Sequence, residues 1–244
     1  MEIDMKIINY DSSKYDFLKI VSEIYDADLQ KLDSSDKKES LALGEDTHTP
    51  FHKKFYSRVD AGWPEFEKLY QSFIEEVIFP MFEDDVLLYQ TLPNIRVQRP
   101  EAKAVYLWHC DGDKDHRHPP GEINIFLPLT KCEESNTMWV ESIPGLGDFQ
   151  PLVMEYGQFF IGYLNRCRHG NKVNNTSNTR ISFDFRVVPG HAHDESFPER
   201  TATANLEFKV GQYYKKMERE NTPKTKNQEE NKSSALRRQH GKRK

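Results

Sequence analysis

The feature that most constrains the fold is a change of hydrophobic period near residue 90. Upstream, apolar residues recur three and four apart: Phe17, Ile20, Val21, Ile24 and Tyr25, then Phe66, Leu69, Tyr70, Phe73, Ile74, Val77 and Ile78. That spacing places each set on one face of a helix. The first helix is expected over about Ser13 to Leu32. The second opens at Trp63-Pro64, where proline is tolerated in a first turn, and closes at Pro80. Between them the polar stretch Asp33 to Pro50 reads as a loop. Downstream the apolar runs are short: Asn94 to Gln98, Ala104 to His109, Glu122 to Leu129, Thr137 to Glu141, Gln158 to Leu164 and Ile181 to Val188. Turn signals separate several of them, at His118-Pro119-Pro120-Gly121, Pro144-Gly145-Leu146-Gly147 and Asn174 to Asn178. Phe208 to Tyr214 is a last short element. Helices followed by many short strands predict an all-β core with flanking helices, a barrel or sandwich preceded by N-terminal helices.

The expected organisation is one domain over residues 1–217, with a helical part at 1–90 and a β core at 91–217. A charged tail at 218–244 ends in RRQHGKRK and offers little to bury, so it is expected to be disordered. The tail is either simply solvated or an address for an acidic partner. With 15 Phe, 11 Tyr and 3 Trp, core material is plentiful. A net charge of −5 gives no reason to expect nucleic acid. The three cysteines, Cys110, Cys132 and Cys167, show no paired spacing and suit a reducing compartment. No apolar run is long enough to span a membrane, and MEIDMKIINYD lacks the core of a secretory signal. A cytoplasmic protein with a small-molecule substrate is expected, with no membrane or nucleic-acid partner.

His109-Cys110-Asp111 places an imidazole and a carboxylate two residues apart. On an extended strand both project to one face and can converge on one ion. Two ligands do not close a site, and His169, after the strand-like stretch at 158–164, is the natural third. Two histidines and one carboxylate form the facial triad typical of non-haem Fe(II) oxygenases, which leaves positions open for cosubstrate and oxygen. Neutral imidazoles with one carboxylate leave an Fe(II) site at net +1, which favours an anionic, chelating 2-oxo acid. Alone, H-x-D is a weak signal, because an ordinary histidine beside an acid looks the same. Arg180-Ile181-Ser182 adds weight. Arg and Ser two apart on a strand share a face, and a guanidinium fork with a hydroxyl suits the distal carboxylate of 2-oxoglutarate. The bland alternative for Arg180 is a structural salt bridge.

The order His109-x-Asp111, His169, Arg180-x-Ser182 resembles the Fe(II)/2-oxoglutarate-dependent dioxygenases of the double-stranded β-helix fold. The stretches HCDGDKDHRHPPGEINIFLPLT, NTMWVESIPGLGDFQPL and HGNKVNNTSNTRISFDFR are similar to the StrG-like group of streptomycin biosynthesis, related to the phytanoyl-CoA hydroxylase type. The resemblance spans roughly Leu92 to Pro189. It implies a double-stranded β-helix (jelly roll, cupin-like), iron on His109, Asp111 and His169, and 2-oxoglutarate on Arg180 and Ser182, with O2 as co-reactant. Halogenating relatives lack the carboxylate present here as Asp111, so hydroxylation is favoured.

Further candidates face two ways. Asn124 shares a face with Glu122 and contacts either the cosubstrate or substrate, or a structural partner. Arg96 and Gln98 alternate with Ile95 and Val97 and face either the pocket or solvent. Arg186, with Asp184, continues the face of Arg180 and either forms an internal ion pair or competes with Arg180 for the carboxylate. The family distance from His169 favours Arg180. Trp139 and Glu141 are placed on the cavity side of their strand, with Trp139 either core or substrate platform. His116 and His118 are metal ligands in a different register, border the entrance or are exposed, and His118 is preferred for the substrate because it lies in the family-like HPPGE stretch. The expected function is therefore hydroxylation of a small polar metabolite with release of succinate and CO2. The rivals are a cupin-like metal enzyme that does not use 2-oxoglutarate, and a non-catalytic jelly-roll binding module.

Overall fold

The computed structural model describes residues 4–32, 49–105 and 107–219. The loop expected at Asp33 to Pro50 lies outside the described residues except at its end. The tail expected to be disordered lies outside them beyond Arg219.

The chain opens on a short strand, β1 (Lys6–Asn9), followed by helix α1 (Phe17–Tyr25). Asp16 caps α1, its carboxylate accepting from the Lys19 N–H at 3.0 Å. Asp26, left-handed at φ 52°, ends it earlier than expected. The remainder of that stretch is a single 3-10 turn over Leu29–Lys31. Helix α2 (Pro50–Asp60) was not apparent in the sequence. Only His52 and Phe55 of its residues are buried, too few to make a visible stripe. Helix α3 (Pro64–Phe73) runs as expected, then widens into a π turn at Ile74–Ile78 and tightens at Phe79–Met81. Pro80 lacks the N–H that further helix would need.

The strands that follow are β2 (Val86–Gln90), β3 (Asn94–Gln98), β4 (Ile123–Pro128), β5 (Met138–Val140), β6 (Gln150–Pro151), β7 (Gln158–Gly162), β8 (His169–Asn171), β9 (Arg180–Pro189) and β10 (Tyr214–Glu218). The larger sheet has the order β1-β7-β4-β9-β2-β10, with β3 also paired to β9, and the smaller is β6-β5-β8. This is a mixed α/β fold whose strands are arranged much as in a double-stranded β-helix; the two sheets do not close into a barrel.

Two expectations are corrected here. Ala104 to His109 holds no strand among its described residues, of which only His109 pairs, in an isolated bridge with His169. The last element is β10 at Tyr214–Glu218, preceded by turns rather than by a strand from Phe208. Glu218, placed in the tail by composition, pairs with Val86.

Register explains how the site is built. Across β3, β9 and β4 the partners include Gln98↔Arg180, Arg96↔Ser182, Asn94↔Asp184 and Asn124↔Arg186. Directly opposed residues share a face, so these polar groups all lie on one side of the larger sheet. The other side carries Ile95, Val97, Ile123, Ile125, Leu127, Ile181, Phe183, Phe185 and Val187, which form one core with the helices. Phe183 sits at its centre, with ring centroids 5.6–6.0 Å from Phe17, Phe55 and Phe66. The sheet thus has an oily face under the helices and a charged face turned to the smaller sheet.

Candidate metal centre

His109 and His169 are locked to one another by two backbone hydrogen bonds, 3.0 and 2.9 Å. Gly170 follows, and a Cβ there would lie 2.6 Å from the Trp108 ring, so this strand can lie against Trp108 only with glycine. Asp111 is fixed by its own N–H on Leu164 O and by Gly112 N–H on Asn165 O. The convergence of His109 and Asp111 therefore comes from a bridged loop, not from the strand expected of an H-x-D pair.

Both histidine Nε2 atoms lie 3.5 Å from Asp111 Oδ1. The potential ligand atoms of the three residues are all within 4.8 Å of one another. Each imidazole Nδ1 faces a carbonyl oxygen, His109 that of Leu107 at 3.0 Å and His169 that of Cys167 at 3.2 Å. A carbonyl only accepts, so the proton sits on Nδ1 and the Nε2 lone pair is left for an ion. Burial pushes the His169 imidazole down to about 4, against the attraction of Asp111, so it is neutral near pH 7. Cys110, between two of the ligands, turns its thiol to Arg166 O at 3.2 Å. The donor set is two neutral nitrogens and one carboxylate oxygen, which fits Fe(II).

Asp111 divides its two oxygens. Oδ1 faces the histidines, while Oδ2 accepts from Asn124 Nδ2 at 2.6 Å and from Arg186 Nε and Nη2 at 3.0 and 2.7 Å. Burial opposes its charge, but the Arg186 guanidinium together with His109, His169 and His118 outweighs burial and holds the carboxyl well below the usual range. With Oδ2 saturated, Asp111 offers a metal one oxygen.

The cavity between the sheets is lined by both histidines, Asn124, Asn171, Arg180 and Arg186, among others. Three arginines reach it and their partners differ. Arg96 pairs with Asp184 at 2.6 Å. Arg186 bridges Asp111 and Asp184 at 2.7 and 2.8 Å. Arg180, 1 % exposed, has no carboxylate partner among the described residues. Its donors go to Asn136 O at 3.1 Å, Ser182 Oγ at 2.6 Å and Gln98 Oε1 at 3.0 Å. Burial lowers its pKa to about 10. The salt-bridge alternative for Arg180 is thereby removed, and Arg186 is the internal ion pair.

Other expected residues are placed as follows. Ser182 is an acceptor for Arg180 and is buried. Gln98, offered as a substrate contact, is instead a brace: it is buried, its carbonyl holds Arg180 and its amide binds Lys172 O at 2.7 Å. Trp139 is corrected as well. Met138 and Val140 pair with Asn171 and His169 and so share the cavity face, which puts Trp139 and Glu141 on the outer face of β5. There the Lys172 ammonium lies 3.2 Å from the Trp139 ring centre, and Glu141 accepts from the Arg168, Gly145 and Gly147 N–H groups. His118 binds Glu122 at 2.7 Å and packs on Phe208, and it does not line the cavity. His116 stacks on His109, ring centroids 4.0 Å apart. Asn171 was missed; it shares the cavity face with His169 two residues before it, the same alternation that flagged Arg180 and Ser182. A larger cleft of about 800 Å³, lined by Phe82, Ile143, Tyr163 and His191 among others, contains none of the candidate residues.

Fold and site together define a protein with a two-histidine, one-aspartate metal triad set between two sheets. No family model matches the chain. It is 31% identical over 209 residues to the streptomycin biosynthesis protein StrG of Streptomyces griseus, covering 85% of this chain and 96% of that one. The chain belongs to the StrG family. Among solved structures, EvdO2 from Micromonospora carbonacea var. aurantiaca is 13% identical with a TM-score of 0.43, covering 80% of this chain and 89% of that one. AviO1 from Streptomyces viridochromogenes Tue57 is 14% identical with a TM-score of 0.40, covering 80% and 93%. Likenesses that distant assign no residue a role.

Proposed function

We propose that the chain is an Fe(II)- and 2-oxoglutarate-dependent oxygenase that hydroxylates a small polar metabolite. The observation that carries this reading is Arg180: a buried guanidinium with no carboxylate partner among the described residues, lining the same cavity as the two histidines of the triad. A buried cation costs several kcal/mol unless it is paired. Three guanidiniums face two carboxylates here, so one positive charge is left for a ligand to neutralise. A dicarboxylate that reaches both the metal and Arg180 is suited to the task.

In this reading His109 Nε2, His169 Nε2 and Asp111 Oδ1 hold Fe(II). Arg180, braced by Gln98 and Asn136, receives the distal carboxylate of 2-oxoglutarate, with Ser182 beside it. The two sheets are the halves of a double-stranded β-helix. Iron held there, with the 2-oxo acid and O2, supplies the oxidising power to hydroxylate a C–H bond while the cosubstrate leaves as succinate and CO2. The protein's part is to fix the ligands, neutralise the dicarboxylate and keep bulk water from the cavity. The neutral imidazoles and the single offered carboxylate oxygen leave part of the metal's surface open. The relative's place in streptomycin biosynthesis supports a small polar substrate. No helix among the described residues is long and apolar enough to cross a membrane.

The test is succinate formation from 2-oxoglutarate, with Fe(II) and O2, across a panel of small polar metabolites. Turnover is expected with the native chain and is lost in His109→Ala with Asp111→Ala. A double variant that binds Fe(II) as tightly as the native chain would contradict the assignment.

A further inference from the structure

Asn124 is 3 % exposed and its amide nitrogen donates to Asp111 Oδ2 at 2.6 Å. The amide cannot be turned the other way, because two acceptors would then face one another at that distance. Its Oδ1 is consequently fixed in orientation, and it is buried without a hydrogen-bond partner. Buried acceptors are rarely left so, because an unmet one bears the full cost of leaving water. The residue lines the cavity that also holds His109, His169 and Arg180. Its cross-strand neighbour Arg186 turns Nη1 to Asp184 and Nε and Nη2 to Asp111, and none of its nitrogens is hydrogen-bonded to Asn124 Oδ1.

The chemistry of the missing partner is constrained. 2-Oxoglutarate near neutral pH carries two carboxylates and a ketone, so it has only acceptors. It cannot satisfy Asn124 Oδ1, whatever its pose. The missing partner is a donor. We infer that Asn124 Oδ1 accepts from an O–H or N–H of the substrate, and from a water in the same place before substrate arrives. The substrate is thus a small hydroxyl- or amine-bearing molecule, such as a polyol or amino sugar. It presents that donor beside the carbon turned to the metal. This rests on the oxygenase reading and sharpens it: the asparagine becomes a substrate contact rather than a cosubstrate contact.

The test is a crystal structure of the full chain prepared without oxygen, with Mn(II) and 2-oxoglutarate as probes. Water-proton relaxation of the Mn(II)-loaded protein in solution accompanies it. A water within hydrogen-bond distance of Asn124 Oδ1, with the distal carboxylate on Arg180, is the expected result. Loss of one hydrogen bond should shorten the residence of that water about five- to tenfold in Asn124→Leu. An amide turned onto the 2-oxoglutarate carboxylate overturns the inference while leaving the oxygenase reading intact. So does an unchanged residence in Asn124→Leu, which would make Asn124 only a brace for Asp111. If 2-oxoglutarate lies away from Arg180, the oxygenase reading fails, and the water contact can still be read in the same map. In turnover, matched polyols or amino sugars and their deoxy or deamino counterparts give the second arm. Succinate formation driven equally by the members lacking the donor would also overturn the inference.

Discussion

Arg186 shows how much one side chain can carry. It binds Asp111 through two nitrogens and Asp184 through a third, and it is 6 % exposed. Burial opposes its charge, but Asp111 and Asp184 hold its pKa well above the usual value. Replacing it by leucine leaves Asp111 without its main counter-charge and Asp184 with Arg96 alone. Breaking one side of a buried ion pair costs about 3–5 kcal/mol. Arg186→Leu should therefore lower the unfolding free energy by that order, read in urea unfolding. It should also weaken divalent-metal affinity by about 10- to 100-fold, as expected for a partner of a metal ligand. Competition against a chelating dye reads the second effect, and unchanged metal affinity would remove Arg186 from the centre. Arg186→Lys should restore less than half of it, because an ammonium cannot reproduce the two-nitrogen grip on Oδ2.

At the scale of elements, β9 links function to stability. Its alternate residues face the cavity as Arg180, Ser182, Asp184 and Arg186, and the helices as Ile181, Phe183, Phe185 and Val187. Phe183→Ala removes the ring shared by Phe17, Phe55 and Phe66, and a buried Phe truncation costs about 3–5 kcal/mol. Urea unfolding should show that loss. A loss below about 1 kcal/mol would mean that the helices are not packed on this sheet as described. The alternation of β3, β4 and β9 was legible in the sequence, because period two fixes which residues share a face. It does not fix which face is inside. That is why Trp139 and Glu141 were placed on the wrong side of β5 while Met138 was passed over. Strands of two or three residues, such as β6 and β8, are too short to show any period. The apolar run of β2 directly behind the α3 region could equally have been buried helix.

For the whole molecule, composition is silent about the site. The chain carries a net charge of −5, yet its buried cavity holds one more guanidinium than carboxylate. The order of ligands along the chain was readable, since His109, Asp111, His169 and Arg180 carry chemistry that few other patterns need. What could not be read was the state of each group. Whether Arg180 already had an acid partner, and which oxygen of Asp111 was free, depends on contacts that include residues far apart in the sequence, such as Asp111 with Arg186, 75 positions apart. The central claim, that Arg180 is reserved for the cosubstrate, rests on those contacts. Anaerobic titration of 2-oxoglutarate into the Fe(II)-loaded chain, followed by calorimetry, tests it directly when native and Arg180→Met proteins are compared. Losing a charge-assisted, two-pronged contact worth about 3 kcal/mol should weaken 2-oxoglutarate binding roughly 100-fold, with Fe(II) affinity unchanged. Equal 2-oxoglutarate affinity in the two proteins would contradict the account.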